Sequence, residues 1–158
     1  MPGRNRRYGD PYRGYTIRVK WDGATIPGIT SVGPLFRTVE VVEHRQAEEP
    51  DVVRASPGLT TWVPVVLRRP ISSNHAFEQW ANLLISAGGP LVSFRKDVRL
   101  EIHTAQGQIA RAYTLHRCWV QAYEALPTVN PRERHPLMET LTLRYEWWER
   151  DTTIPASP

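Results

Sequence analysis

The sequence predicts a mainly β fold: a small antiparallel β-barrel or sandwich of six to seven strands with one flanking α-helix at about residues 74–88. Most of the chain consists of short segments in which apolar and polar side chains alternate, a pattern typical of half-buried strands. Turn-forming pairs such as Asp22-Gly23 separate these segments. One stretch instead repeats its apolar residues with the helical period, so we expect a single helix to pack on the sheet.

Seven segments have strand character, and they cover residues 15–22, 24–26, 36–45, 61–69, 97–104, 110–123 and 139–148. Pro64 removes a hydrogen-bond donor from the fourth segment, which predicts an edge strand or a bulge. Arg117 interrupts the apolar phase of the sixth segment, so we expect a bulge or a change of burial at this position. In the last segment, alternation predicts one apolar face that consists of Leu141, Leu143, Tyr145 and Trp147.

The predicted helix carries its apolar side chains in one stripe. These residues, at helical spacing, are Phe77, Trp80, Ala81, Leu84 and Ile85. Asn74 is a suitable N-cap, and the Gly-Gly-Pro run at residues 88–90 is a stop signal. Since a helix of about four turns is only marginally stable alone in water, we expect the stripe to pack against the inner face of the sheet.

Residues 46–60 interrupt the strand pattern with three acidic residues, two prolines and a glycine. This composition predicts an exposed loop of about fifteen residues. Loops of this length are uncommon in compact domains unless they have a function. We therefore expect a functional role for this segment.

At 158 residues the chain is expected to form one domain with a single core. Its net charge of +4 is uneven, because four arginines and one aspartate place a charge of +3 in residues 1–13. We predict a basic flexible arm at residues 1–13, a β-barrel domain at 14–150 and a flexible tail at 151–158. The chain shows neither a run of eighteen apolar residues nor a hydrophobic stretch behind the basic residues, so we expect no membrane span or secretory signal, and synthesis in the cytoplasm.

The candidate catalytic residues form no recognised motif. His103 and His116 lie near Glu101 and Cys118 in two strands, but none of them belongs to a metalloprotease, nucleophile-elbow or phosphate-loop pattern. Glu101 and His103 are two residues apart on the polar side of one strand, where a solvated face is the commoner explanation. Cys118 is the single cysteine, which excludes an internal disulfide and a cysteine-rich zinc site. We expect no catalytic centre, no metal and no cofactor.

Two of the six tryptophans, Trp62 and Trp148, fall outside the apolar phase of their segments. Tryptophan is enriched among the residues that dominate protein–protein interfaces. We therefore expect these two side chains to contact another subunit rather than to stack on a ligand.

The order of short segments along the chain resembles the tube protein family of contractile phage tails and injection systems. The resemblance covers about residues 10–150, nearly the whole chain, and its specificity comes from the ordered series with matching spacing rather than from any one motif. The segments that carry it are Asp10-Pro11-Tyr12-Arg13, Trp21-Asp22-Gly23, Arg37-Thr38-Val39-Glu40, Glu43-His44-Arg45, Ser56-Pro57-Gly58-Leu59-Thr60, Leu67-Arg68-Arg69, Phe77 with Trp80, Arg95-Lys96-Asp97-Val98, Ala122-Tyr123, Glu139-Thr140-Leu141 and Trp148-Glu149-Arg150.

The resemblance implies a β-barrel with one helix, similar in fold to the type VI secretion tube protein. It also implies hexameric rings that stack into a hollow tube, which is expelled when a contractile sheath contracts. The implied partners are further copies of the chain, the sheath protein, baseplate and terminator proteins, and protein cargo or DNA in the lumen, with no stable membrane insertion. The expected location is the cytoplasm during assembly and afterwards a phage tail or an extracellular injection particle.

Two sets of functional residues follow from the same resemblance. The segment at residues 46–60 matches the family's extended segment that reaches adjoining subunits. Its candidate contact residues are Glu48, Glu49, Asp51, Arg54, Leu59 and Trp62. Strands with one apolar and one polar face can enclose a core on one side and line an aqueous lumen on the other. The candidate lumen-facing residues are Arg18, Lys20, Arg99, Glu101 and Arg144.

Three other functions stay open at this point. Leu59 and Trp62 stand where the family usually has a basic residue and a tyrosine, the loop at residues 127–136 carries an Arg-Glu-Arg run, and the N-terminal arm is unusually basic. A specialised initiator or adaptor ring at the baseplate or terminator is therefore an alternative to the main tube subunit. The basic arm would also suit a monomeric β-barrel that binds nucleic acid with salt-dependent affinity. A metal-dependent or hydrolytic enzyme would use His103 and His116.

Overall fold

The computed structural model describes residues 14–85 and 94–155. This part of the chain contains ten strands and one helix. In chain order they are β1 (Thr16–Trp21), β2 (Ala24–Ile26), β3 (Ser31–Gly33), β4 (Arg37–Gln46), β5 (Glu49–Trp62), β6 (Val65–Pro70), α1 (Ala76–Asn82), β7 (Lys96–His103), β8 (Ile109–Glu124), β9 (Met138–Arg144) and β10 (Trp147–Arg150).

Eight strands form one large sheet in the order β2-β1-β7-β8-β9-β6-β3, with β10 paired to β8. Strands β4 and β5 form a separate two-stranded sheet. All pairings are antiparallel. This mainly β, sandwich-like architecture with one helix confirms the predicted fold class, although the described residues form ten strands where six to seven were predicted. Among the described residues the large sheet does not close into a barrel, and the three-residue strands β2 and β3 lie at its two ends.

Strand β8 pairs with β10 along its first part and with β9 along its second part, and a bulge at Arg117 lies between the two parts. β10 pairs with β8 up to His116, whereas β9 pairs with it from Trp119 onward. Arg117 has a φ of +55°, and the register between β7 and β8 shifts beside it. Its backbone amide donates to Asp97 Oδ1 at 2.9 Å. The predicted bulge is confirmed. It bends β8, and the strands on both sides of β8 in the sheet contribute side chains to one core.

The helix α1 packs on this core through two aromatic side chains. Phe77 and Trp80 are buried, and the ring centroid of Trp21 on β1 lies 6.1 Å and 4.9 Å from theirs. Trp80 also donates its indole N–H to the carbonyl of Phe94 at 2.8 Å. Because burial of each large apolar side chain contributes about 1.5 to 3 kcal/mol, these contacts hold a short helix that would not be stable alone.

The helix is shorter than the sequence predicts. Leu84 and Ile85 lie in a turn beyond its end and are 40% and 77% exposed, so the prediction that they are buried is wrong. At the other end the N-cap is His75, so the prediction that Asn74 is the N-cap is wrong by one residue. Asn74 Oδ1 still accepts the amide of Ala76, the first residue of the helix, at 3.0 Å. The stop signal at residues 88–90 lies outside the described residues. Within the ranges that the structure describes, no helix has the length and apolarity needed to cross a membrane.

The predicted strand at residues 139–148 is broken into β9 and β10. Between them, the amide of Glu146 donates to the carbonyl of His116 at 3.0 Å, and the alternation changes phase. As a result Trp147 is 40% exposed, whereas Trp148 packs against the core. The prediction that Trp147 joins the buried face is therefore wrong.

Cys118 is fully buried rather than half-buried, and burial raises the pKa of its thiol to about 12. Since the thiolate is the reactive form, we expect no reaction of the native protein with a water-soluble thiol reagent at neutral pH. Full reaction is expected in urea. A colorimetric thiol assay with and without denaturant measures both, and rapid modification of the native protein would contradict this packing.

Candidate functional site

The most exposed element of the protein is the β4–β5 hairpin. All ten residues of β4 and twelve of the fourteen residues of β5 are exposed. Its exposed apolar side chains are Val39, Val41, Val42, Val52, Val53 and Leu59. A two-stranded hairpin without further partners is marginally stable, and grouped apolar side chains on a surface indicate an interaction site. This hairpin is the candidate functional site.

The prediction of an irregular loop at residues 46–60 is wrong, although its exposure was predicted correctly. Most of the segment lies in β5, which pairs with β4 over nearly its whole length. The acidic residues and prolines suggested a loop, but each of the two strands has an outer edge that pairs with no other strand of the described residues. An edge tolerates proline because no ladder hydrogen bond is lost there. Pro64 lies between β5 and β6, and β6 pairs with β9 on one side and β3 on the other. The prediction of one strand at residues 61–69, with Pro64 at an edge or a bulge, is therefore wrong.

The predicted contact residues lie at three levels of the hairpin. Four are at or near its tip: Glu48, Glu49, Asp51 and Arg54. There Arg54 Nη2 lies 3.2 Å from Glu49 Oε2 in an exposed ion pair. Leu59 is exposed nearer the base, and Trp62 is the last residue of β5, at the root. The structure therefore brings the first four together and places Trp62 at the opposite end.

An aromatic cluster fixes the root of the hairpin, and its members are Trp62, Tyr113, Tyr145 and Trp148. The ring of Trp62 meets the rings of Tyr145 and Trp148 edge-on, with centroids 6.5 Å and 5.7 Å away. The guanidinium of Arg37, the first residue of β4, lies 5.3 Å from the Trp62 ring and 5.6 Å from the Trp148 ring. Tyr145 Oη donates to the carbonyl of Val63 at 2.5 Å. Contact of Trp62 or Trp148 with another subunit stays a prediction.

Glu101 is the centre of a charge network on strands β1 and β7. Its carboxylate lies 2.7 Å from Lys20 Nζ, 3.1 Å from Arg99 Nε and 3.4 Å from His103 Nε2. Arg99 Nη2 also lies 3.0 Å from Asp151 Oδ2. The side chains of Glu101 and His103 are only 3% and 7% exposed. The interpretation of these two residues as part of a solvated face is therefore wrong, because the long neighbouring side chains cover them.

The candidate lumen-facing residues divide into two groups. Arg18 and Arg144 are exposed, whereas Lys20, Arg99 and Glu101 belong to the charge network and partly neutralise one another. Their position in a lumen stays a prediction. The predicted domain limits stay a prediction too, since residues 1–13 lie outside the described residues. At the other limit, the amide of Asp151 donates to the carbonyl of Ala112 at 2.9 Å, so the chain is still attached to the sheet there.

We expect acid to remove the stabilising contribution of the charge network. Burial of Glu101 disfavours its charged form, but hydrogen bonds from Lys20, Arg99 and His103 outweigh this and lower its pKa from 4.5 to about 2. Between these values the unfolded chain binds a proton that the folded chain does not, so stabilisation present above pH 4.5 is lost as the pH falls toward 2. Urea unfolding across this range should show a steeper loss of stability for the wild type than for Glu101→Gln. Equal acid sensitivity of the two proteins would contradict the assignment.

The structure does not bring the two candidate catalytic histidines together. His103 ends β7, whereas His116 lies 3.9 Å from Asp97 near the other end of that strand. Six positions separate Asp97 from His103, about 20 Å at strand spacing. His116 instead stacks on Trp147 with ring centroids 4.4 Å apart and lies 2.8 Å from Glu149. In residues 14–85 and 94–155, no group of three His, Cys, Asp or Glu side chains is placed to hold a metal ion.

The sequence interpretation missed a buried ion pair between Arg69 on β6 and Glu139 on β9. Arg69 Nε donates to Glu139 Oε1 at 2.5 Å. Its other nitrogens donate to the carbonyl of Pro27 at 3.2 Å and to Asn74 Oδ1 and carbonyl at 2.9 Å and 2.8 Å. The guanidinium also lies 4.2 Å from the ring centroid of Phe77. One buried side chain therefore joins the sheet, the β2–β3 connection and the start of α1.

A signal for this pair was present in the sequence. Arg69 continues the apolar phase of Val65 and Leu67, and Glu139 opens the apolar phase of its own strand. When two strands each carry a charged residue of opposite sign at a position predicted to be buried, the two residues are expected to pair. The reason is that a single buried charge without a partner is very unfavourable. Tyr123 completes the site by donating to Glu139 Oε2 at 2.9 Å, and burial together with this bond raises the pKa of Tyr123 to about 12.

The described residues thus form a β sandwich whose most exposed element is an apolar hairpin, an arrangement typical of a subunit that assembles with other chains. Residues 14–149 match the model of the family described as T4-like virus tail tube protein gp19. Because this match spans most of the chain, the protein belongs to that family of structural tube subunits. The family resemblance predicted from the ordered segments is confirmed. No curated protein sequence matches the chain.

Solved structures of contractile systems share the fold. A chain in the PVC sheath–tube complex, an extracellular contractile injection system in its extended state, has a TM-score of 0.73 at 16% identity over 92% of this chain and 93% of that one. A chain in the PVC sheath/tube terminator has a TM-score of 0.73 at 15% identity over 92% and 98%. Hcp1 from Flavobacterium johnsoniae has a TM-score of 0.52 at 10% identity over 85% and 93%.

Proposed function

We propose that the chain is a non-enzymatic structural subunit of the inner tube of a contractile phage tail or injection particle. Six copies form a ring, the rings stack into a hollow tube, and contraction of a surrounding sheath drives the tube outward. The observation that carries this proposal is the exposed β4–β5 hairpin in a chain of the tail tube family. The protomer leaves this element uncovered, and neighbouring copies would cover it.

The hairpin has the physical properties of an element shared between copies. Its exposed valines and Leu59 gain about 25 cal/mol for each Å² of apolar surface that a neighbour covers. Its two outer edges present backbone groups that can pair with a strand of another chain. Since the hairpin of one copy meets a different surface on the next, the contact is heterologous and can continue along a stack. The proposed contact residues are Glu48, Glu49, Asp51, Arg54, Leu59 and Trp62.

The remaining partners follow from a place in such a tube. We assign the polar side of β1 and β7, with Arg18 and the Lys20–Glu101–Arg99 network, to the lumen, together with Arg144 of β9. Protein cargo or DNA would pass along it. The outer surface would contact the sheath, and the ends of the tube would contact baseplate and terminator proteins. Assembly takes place in the cytoplasm, before the particle acts outside it.

A specialised ring at one end of the tube is the second candidate function. Its support is the fold similarity to a chain in the PVC sheath/tube terminator, which equals the similarity to a chain in the sheath–tube complex. Co-expression with the sheath, baseplate and terminator proteins of the same particle distinguishes the two. A tube subunit appears in every ring along the particle, whereas an adaptor appears in one ring at an end.

Electron microscopy of the purified chain, with its mass from light scattering at two concentrations, tests the proposed function. We expect six-fold rings, or tubes with a regular axial repeat, that grow with concentration. A monomer of 18.1 kDa at both concentrations, in the presence of the baseplate proteins, would overturn the proposal. Salt-dependent binding of DNA by that monomer would then support a nucleic-acid-binding barrel.

A further inference from the structure

The hairpin and the loop at residues 125–137 lie at opposite ends of the same pair of strands. The chain leaves the hairpin and enters β6 at Val65, which pairs with Leu143 of β9. β6 ends at Pro70, which pairs with Met138, the first residue of β9 after the loop. The six residues of β6 separate the two ends by about 20 Å. A contact between the hairpin of one copy and this loop of another therefore joins two different surfaces, and such a head-to-tail contact can be repeated from copy to copy.

The loop is exposed but held in a defined turn. Every residue from 128 to 137 is exposed, including the apolar Val129. Asn130 Oδ1 accepts the amide of Arg132 at 3.1 Å, and the Asn130 carbonyl accepts the amide of Glu133 at 3.0 Å. An Asx-type turn of this kind orders the segment before any partner arrives. Binding to an ordered loop loses less conformational entropy than binding to a disordered one.

A groove of about 300 Å³ lies beside the loop. Its acidic and basic lining residues are Arg68, Glu124, Glu133 and His135. Arg68 and Glu124 carry opposite charges, and Glu133 Oε2 lies 3.1 Å from His135 Nε2. The Arg-Glu-Arg run of the loop, residues 132–134, therefore leaves the surface beside the groove with a net positive charge.

We propose that the tip of the β4–β5 hairpin of one copy docks on this loop and groove of the next copy. The tip, residues 45–54, carries three carboxylates and two arginines, a net charge of −1, from Arg45, Glu48, Glu49, Asp51 and Arg54. The loop carries two arginines and one glutamate, a net charge of +1, from Arg132, Glu133 and Arg134. Exposed apolar side chains accompany both surfaces: Val52 and Val53 at the tip, and Leu126, Val129 and Leu137 on the loop.

This docking rests on the proposed function and specifies which surface of a neighbour receives the hairpin. Opposite charges set the register of the two surfaces, and the apolar side chains lose their contact with water when they meet. The contact also gives the Arg-Glu-Arg run a role that the fold of the protomer does not require. Because exposed ion pairs are screened by salt, stacking is expected to weaken as ionic strength rises.

Charge reversal on each surface tests the docking in the full-length chain. The tip variant combines Glu48→Lys, Glu49→Lys and Asp51→Lys, and the loop variant combines Arg132→Glu and Arg134→Glu. Either variant alone is expected to need about tenfold more protein than the wild type to form stacks, because like charges then meet. A one-to-one mixture of the two is expected to stack again, since each reversed tip finds a reversed loop. A matched control, Arg111→Glu with Arg150→Glu, makes the same charge change as the loop variant on exposed residues outside both surfaces.

Light scattering and electron microscopy give distinct results for each failure. Stacking of either variant at wild-type concentrations, or no recovery in the mixture of the two variants, would overturn the docking and leave the tube function in place. At the concentration at which the wild type stacks, we expect stacks from the control and none from either single variant. Loss of stacking in the control as well would show that any such charge change prevents stacking, which would contradict the docking. A wild-type chain that forms no rings would contradict the tube function itself. Circular dichroism confirms that each variant is folded, as expected for exposed positions.

Discussion

Replacement of Arg69 by methionine is expected to destabilise the protomer by about 3 to 5 kcal/mol. The change leaves the Glu139 carboxylate buried without its cation, and it frees the two oxygens of Asn74 that Arg69 holds at the start of α1. Methionine fills much of the same volume, so the loss reflects the charge and hydrogen bonds rather than a cavity. The urea midpoint and slope, followed by tryptophan fluorescence, measure the effect.

The next residue along the strand provides the control for this prediction. Arg68 lies on the outer side of β6 and is exposed, so Arg68→Met is expected to change stability by no more than about 0.5 kcal/mol. Removal of both buried charges, as Arg69→Met with Glu139→Leu, is expected to recover much of the loss, because no unpaired charge remains. A loss of less than about 1 kcal/mol in Arg69→Met would contradict the central role of the pair.

Deletion of the outer part of the hairpin is expected to abolish assembly and to leave the protomer folded. Val39 and Thr60 face each other across β4 and β5, so an Asn-Gly pair can replace residues 40–59 as a two-residue turn. The deleted residues make few contacts with the core, whereas Trp62 and Arg37 keep the root in place. We expect a monomer by light scattering, with a melting temperature within about 5 °C of that of the wild-type protomer.

The shortened chain also allows a sharper measurement when it is mixed with the wild type. It keeps the surface that receives a hairpin but cannot offer a hairpin of its own. Small amounts of it are therefore expected to shorten wild-type stacks, as measured by their length distribution in electron micrographs. Unchanged stack lengths, or stacks formed by the shortened chain alone, would exclude the hairpin as the element that joins copies.

Local signals predicted the parts of the fold that depend on neighbours in sequence. The bulge at Arg117 followed from one charged residue between apolar positions, and the turn at Asp22-Gly23 followed from a pair of residues that accept positive φ. The break after β9 was not predictable in this way. It depends on a hydrogen bond between Glu146 and His116, which are distant in sequence and meet only in the folded sheet.

The candidate site was harder to predict because the proposed partner of the hairpin is another copy of the chain. Strand periodicity comes from burial of one face, and β5 buries neither face, so its pattern indicated a loop. The burial of Glu101 was also not predicted, because it depends on side chains that lie elsewhere in the same protomer. Its position on the polar phase of β7 was predicted correctly, but its burial depends on Lys20 from the neighbouring strand and on Arg99. In both cases the environment comes from another strand or another chain, which one segment of sequence does not specify.

The aromatic cluster at the hairpin root determines the angle at which the hairpin leaves the rest of the protomer. The ten residues of β4 extend about 33 Å from this cluster at strand spacing. A rotation of about 10° at the root therefore moves the tip by about 6 Å, more than the reach of an ion pair. In the proposed docking, the edge-on packing of Trp62 against Tyr145 and Trp148 would set the angular precision with which the distant tip meets a neighbouring copy. Small changes in these rings would alter the pitch of an assembly without touching any surface where its copies meet.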